Sequence, residues 1–372
     1  MKKFQVLLYI IICTSLIFFS ETSTAQKNEH RPLDIVICVD LSGSTNGLIN
    51  NVRDNLWLII NQANIMIPIP DLRIAVVGFS RPSFGKNTGY VKVLCDLTYN
   101  FDHLETELFK LKPSIEKGDQ YVSAALSTCI SQISWSKKID AKKIIFLCGN
   151  GMVTSNGFDY IKYCEQANEK NIIVNTLYIP NGANIMRELP AWRRIATITK
   201  GMQSEITVAN KDDVTVFSDA KIDRVREINN KLNATYLWSG MDSSFCRRSL
   251  VTADSGAYYT RKEAFFNRVY FKTTTRYEQL LKDCELVNAY NIGSITATTD
   301  SSQTQSTFAI ETREHFNDMK IAREKLHIAL RVELPEQEVN DYKNRYASGE
   351  MPENNIFQRV ILTMLFKEWE GK

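Results

Sequence analysis

From residue 34 to about 209 the chain alternates short apolar runs with longer stretches in which apolar residues recur every third or fourth position. The short runs, at 34–39, 73–79, 143–148 and 172–178, have the length and branched aliphatic content of strands buried on both faces. An edge strand is expected at 91–94 and a short last strand at 204–208. The longer stretches predict helices over 48–64, 101–111, 121–133, 158–170 and 186–199. This alternation predicts an α/β fold: a doubly wound, mainly parallel six-stranded sheet flanked by helices, with right-handed crossovers. After residue 210 the strands stop. Residues 219–234 and 260–286 are charged and helix-favouring, separated by a Ser/Gly/aromatic segment at 238–259. The expected organisation is a sheet domain at 31–210, a helical extension at 211–290, a Ser/Thr/Gln-rich linker at 291–310, and a helical tail at 311–372 broken at Pro335 and Pro352.

The first 25 residues stand apart from this pattern. Lys2 and Lys3, an apolar run at 6–19 and Ser23-Thr24-Ala25 fit a secretory signal cleaved after Ala25, with an uncleaved anchor as the alternative. Cys13 follows Ile12, where a lipoprotein signal needs a small residue, so no lipid anchor is expected. The mature chain is therefore expected in the periplasm, the cell envelope or outside. No later stretch reaches the roughly 18 unbroken apolar residues of a membrane span. Hydrophobic residues at 44% and charged residues at 23% are ordinary for a globular protein. Removing Lys2, Lys3 and Glu21 lowers the net charge from +3 to +2, which leaves no electrostatic case for nucleic acid.

Seven cysteines remain: Cys38, Cys95, Cys129, Cys148, Cys164, Cys246 and Cys284. An odd number in an exported chain requires at least one free or intermolecular thiol. Their spacing suggests no zinc site, and for Cys38 and Cys148, near the ends of expected strands, buried thiols packing as small hydrophobes are favoured over a disulfide. Strand alternation points Cys38 the same way as Asp40, and Cys148 the same way as Asn150. Trp135, Trp192 and Trp238 could form a carbohydrate-stacking platform, but scattered tryptophans more often pack a core. Asp283 and Glu285 are expected to be a solvated helical pair.

The candidate chemistry lies in residues 34–45, DIVICVDLSGST. Asp40, Ser42 and Ser44 fall at the carboxyl end of a buried strand, where open α/β sheets hold ligands. A carboxylate and two hydroxyls suit a hard cation such as Mg2+, or else Mn2+ or Ca2+, which takes oxygen ligands. Gly43 is expected to relieve crowding between the hydroxyls. No His, Cys or Lys lies nearby in sequence as a general base, the serines are not in a G-x-S-x-G elbow, and no phosphate-binding glycine loop follows the strand.

The Asp-x-Ser-x-Ser of residues 40–44 resembles the first metal-binding loop of von Willebrand factor type A domains. By that resemblance, Lys117-Gly118-Asp119-Gln120-Tyr121 is the second loop and Cys148-Gly149-Asn150-Gly151 the third. Both depart from the family pattern. Asn150 stands where an Asp is usual, and Asp119 or Gln120 stands near the expected Thr. Residues 118–121, 134–136, 143–150, 232–236 and 283–289 look similar to an exported bacterial subgroup in which the third-loop Asn is usual. The resemblance implies a metal site of Asp40, Ser42, Ser44, Asp119, Gln120 and Asn150 in a non-catalytic module. Such a module captures a protein partner through that partner's acidic side chain. Because an amide carbonyl is a weaker ligand than a carboxylate, a vestigial site in which Asp40 caps loop amides stays open. Two alternatives accompany it: a scaffold whose helical extension binds the partner, and an envelope hydrolase using the Asp40 loop.

Overall fold

A computed structural model describes residues 30–45, 47–111, 121–153, 159–208, 218–260, 262–291, 303–335 and 356–371. The expected signal segment lies outside these residues. The sheet has six strands: β1 (Pro32–Asp40), β2 (Asp71–Phe79), β3 (Lys92–Thr98), β4 (Lys142–Gly149), β5 (Ile172–Tyr178) and β6 (Gln203–Glu205). Their spatial order is β3-β2-β1-β4-β5-β6, and all pairs are parallel except β2 with β3. Strand β1 sits inside the sheet, is covered on both faces, and is buried along its whole length. That explains its unbroken apolar run, since parallel sheets carry helices on both sides. β3 runs four residues beyond the expected edge strand. Its Asp96 interrupts the apolar pattern and is satisfied locally by the Leu97 and Ser134 amides (2.7 and 3.1 Å).

Helices α1 (Leu48–Asn64), α2 (Phe101–Lys110), α3 (Val122–Ser131), α4 (Tyr160–Glu169) and α5 (Ile185–Ile198) alternate with the strands. α3, α4 and α5 cover one face, where Val36, Cys38, Leu147 and Trp192 are buried. α1 and α2 cover the other, with Ile35, Val39, Trp57 and Phe146. Cys38 and Cys148 therefore face opposite sides of the sheet. Trp192 is fully buried in the core rather than part of an exposed platform.

The extension consists of α6 (Asp219–Ala234), α7 (Ser243–Thr260), α8 (Lys262–Lys272), α9 (Thr275–Leu280), α10 (Leu286–Asn291), α11 (Gln303–Glu333) and α12 (Ile356–Glu370). Three sequence expectations change here. The segment at 238–259 is mostly helix α7 and not a spacer. Helix α11 begins at Gln303, inside the residues expected to be linker. Glu285 is buried and ion-paired to Arg323 (2.7 Å), so it is not solvated.

The extension is continuous with the sheet domain. α7 packs on α2, while α8 and α12 pack on α1. Phe265, Phe271, Phe357 and Leu365 join the same apolar core as Leu33, Ile35 and Trp57. This explains an oddity of α1: its polar Asn51, Asn55, Asn61 and Gln62 are all buried, because the side that would face water is roofed by the extension. Asn61 donates across that boundary to the Asn267 carbonyl (2.9 Å). A buried charge cluster ties the two parts further. Arg268 bonds Asp102 of α2 and Asp254 of α7, both at 2.6 Å, and Lys272 bonds Asp254 at 3.0 Å. Cys246 and Cys284 form a disulfide within the extension, and Cys38, Cys95, Cys129, Cys148 and Cys164 are buried free thiols.

Candidate functional site at the carboxyl edge of the sheet

Asp40 is the last residue of β1, next in register to Phe79 of β2, and it is almost wholly buried. A short 3-10 turn, Gly43–Thr45, follows it. The Thr45 hydroxyl holds this turn by donating to the Asp40 and Ser42 carbonyls (2.9 and 3.1 Å). The turn brings the Ser42 amide to Asp40 Oδ1 at 2.8 Å and places the Ser42 and Ser44 hydroxyls 2.9 Å apart. The Ser44 hydroxyl in turn donates to Asn150 Oδ1 at 2.9 Å. Asp40, Ser42, Ser44 and Asn150, separated by more than a hundred residues, thus form one oxygen-rich cluster. Asp119 and Gln120 lie outside the described residues.

Glycine is needed at 149 rather than at 43. A Cβ on Gly43 would meet nothing within 4 Å, so this residue does not relieve crowding. A Cβ on Gly149, whose φ is +153°, would come within 2.4 Å of Asp40 Cβ. The third loop can approach the first only because that side chain is absent. α5 holds the loop from behind. Glu188 accepts from the Gly151 amide and from the Tyr178 hydroxyl (both 2.9 Å), and the Trp192 indole donates to the Gly151 carbonyl (2.9 Å).

Ser80, which sequence reasoning missed, completes the wall. It is fully buried in the left-handed region, with φ 62°, and bonds the Asp40 carboxylate. Its Oγ also accepts from the Tyr121 amide (3.2 Å), at the point where the chain leaves the second loop. Its only sequence signal is its position directly after β2, beside the strand that carries Asp40.

Burial pushes the Asp40 carboxyl up to about 6, against hydrogen bonds from Ser42, Asn150 and Ser80 that favour the charged form. The cluster consists of oxygen donors around one costly buried carboxylate, and the Asn150 carbonyl is turned toward it. The Asn150 Nδ2 is buried and has no hydrogen-bond partner among the described residues. This donor set fits a hard cation in kind, though with a single formal charge. Among the described residues no group of three His, Cys, Asp or Glu side chains is placed to hold a metal ion.

Comparison with known proteins gives a family for this region. Residues 34–228 match the family described as von Willebrand factor type A domain. No curated protein matches the chain. Among solved structures, an aerotolerance-related membrane protein from Bacteroides fragilis NCTC 9343 aligns at 14% identity and a TM-score of 0.34, over 47% of this chain and 92% of that one. The pilus adhesin SpaC from Lactobacillus rhamnosus GG, in an open conformation, aligns at 13% identity and a TM-score of 0.36, over 48% of this chain and 28% of that one.

Proposed function

Because the chain belongs to the von Willebrand factor type A domain family, we propose that it is an exported, non-catalytic module that holds a protein partner at the carboxyl edge of its sheet. Asp40, Ser42, Ser44 and Asn150 would hold a divalent hard cation there, with Asp119 and Gln120 supplied by the second loop. The observation that carries this reading is the convergence of the Ser44 hydroxyl and the Asn150 carbonyl on the turn that follows Asp40. A bound Mg2+ would supply Lewis acidity that could attract an acidic side chain of the partner. The residues of this chain do the rest. Asp40 compensates charge in a buried place, Ser42 and Ser44 orient their oxygens toward it, and Glu188 with Trp192 fixes the loop bearing Asn150. The Cys246–Cys284 disulfide supports export, since such bonds persist in oxidising compartments.

The test is calorimetric titration of residues 26–372 with Mg2+, Mn2+ and Ca2+, alongside Asp40→Ala and Asn150→Asp. Saturable binding abolished by Asp40→Ala and tightened by Asn150→Asp is expected. No heat in the parent with binding in Asn150→Asp would mean a vestigial site and would move attention to the extension. Turnover of generic ester, peptide or phosphate substrates that required Asp40 would replace the binding reading with a hydrolytic one.

A further inference from the structure

The opposite edge of the sheet carries a second surface. β1, β2, β4 and β5 are parallel, so the segments just before Pro32, Asp71, Lys142 and Ile172 come together at one edge. Contacts confirm the neighbourhood. Arg31 Nε donates to the Asp140 carbonyl (2.6 Å), Arg31 lies over the Trp369 ring (5.1 Å), and Trp369 donates to the Pro68 carbonyl (3.0 Å).

Two loop tips at this edge present large aliphatic residues to solvent. Ile139, before β4, is fully exposed, and Ile67 and Ile69, before β2, are 79% and 45% exposed. Single exposed aliphatic residues are common, but three along one edge call for an explanation. Beside Ile139 lies a pocket of about 490 Å³ whose lining includes Trp135, Lys137, Lys138, Lys143 and Lys170. Glu169 also lines it and Asp140 flanks it, so cations still predominate. Lys170 is anchored to the Ile130 carbonyl (3.0 Å) and Lys143 to the Lys170 carbonyl (3.2 Å), which fixes part of this charge in place.

We infer that this amino-terminal edge docks on an anionic phospholipid membrane, with Ile139 and Ile67 entering the interface and the pocket lysines meeting headgroup phosphates. Aliphatic tips next to lysines are the composition that binding at a charged lipid interface requires. The chain also enters the fold here, at His30. The apolar run at 6–19 ends eleven positions upstream, a separation of at most about 40 Å for an extended chain. While that segment is still in a membrane, this edge is the part of the fold tethered nearest to it. The inference is independent of the proposed cation site, whose edge would then point away from the lipid.

The experiment is co-sedimentation of residues 26–372 with phosphatidylcholine vesicles, with and without phosphatidylglycerol. Binding only to the anionic vesicles is expected, weakening with salt. Each lysine near such a surface contributes roughly fivefold, so Lys137→Gln/Lys138→Gln should lower partitioning at least tenfold. Ile139→Asp and Ile67→Asp should lower it as well, with unchanged thermal unfolding because both side chains are exposed. Absence of binding, equal binding to neutral vesicles, or binding indifferent to these substitutions would overturn the inference. Displacement from vesicles by millimolar inorganic phosphate would overturn it too, by making the pocket a small-anion site.

Discussion

Arg268→Met tests whether the extension and the sheet domain are one cooperative body. Arg268 is fully buried, and its guanidinium joins Asp102 under the sheet to Asp254 in the extension, both at 2.6 Å. Coulombic attraction to these carboxylates outweighs burial and raises its affinity for the proton, while Lys272 and Arg268 keep Asp254 charged. Burial pushes the Glu105 carboxyl up, and of the two carboxylates that Arg268 pairs with, only Asp254 has a second cation, Lys272. Removing the guanidinium leaves one carboxylate uncompensated in a dry interior, which costs about 3–5 kcal/mol. Loss of its stacking over Trp57, at 4.6 Å, adds about 1 kcal/mol. Against a typical total of about 5–15 kcal/mol, that is a large fraction of the stability. The assay is urea unfolding followed by tryptophan fluorescence and far-UV circular dichroism. Both probes should report one coincident transition in the parent, moved to much lower urea in the variant. A loss below about 1 kcal/mol, or separate transitions in the parent, would mean that the extension and the sheet domain are not one cooperative body.

Three further outcomes are expected. A chain ending at residue 210 should fail to fold cooperatively, because it strips the cover from α1 and exposes Trp57 and its buried asparagines; a sharp thermal transition in that fragment would contradict the continuous core. Burial, together with Arg331, Arg323 and Lys272, lowers His327 to about 4. The unfolded chain therefore takes up a proton that the folded chain refuses, and about 3 kcal/mol of stability, present above about pH 6.5, is lost as pH falls toward about 4. Asp40, raised to about 6, acts with the opposite sign between about pH 4 and 6, so the effect of His327→Gln is best measured on an Asp40→Asn background, where an unchanged pH profile would exclude the histidine. Gly149→Ala should push Asp40 aside, costing about 1–3 kcal/mol and the calorimetric signal of cation binding; if both survive, the close approach of the two loops has been overstated.

Much of the sheet domain was legible because its strands are buried on both faces and leave uninterrupted apolar runs. β5 and α1 have the bounds the pattern predicts, and β1, β2 and β4 differ by one or two residues at their ends. The Asp40 turn and the third loop could be placed from sequence because both follow such strands. Ser80 could not, since a left-handed serine has no compositional mark and acquires meaning only when Asp40 is beside it. The extension was harder for a different reason. α7 has poor helix formers, and its Gly256 leaves room for the Phe109 ring, so packing against α2 and not intrinsic propensity holds it helical. Likewise Glu285 looks solvated until Arg323, 38 residues later, covers it.

Trp369 lies almost at the end of the chain, yet it packs against Arg31 and bonds Pro68, segments made near the beginning. At about 5–20 residues per second of synthesis, roughly 15–60 s separate the appearance of Trp57 from that of Trp369. Throughout that interval the face of the sheet that α12 helps to close remains incomplete, and the native state is out of reach however favourable it is. Of the segments that roof α1, the helix that carries Trp369 is therefore the last to be made, and the shared core closes only when it arrives.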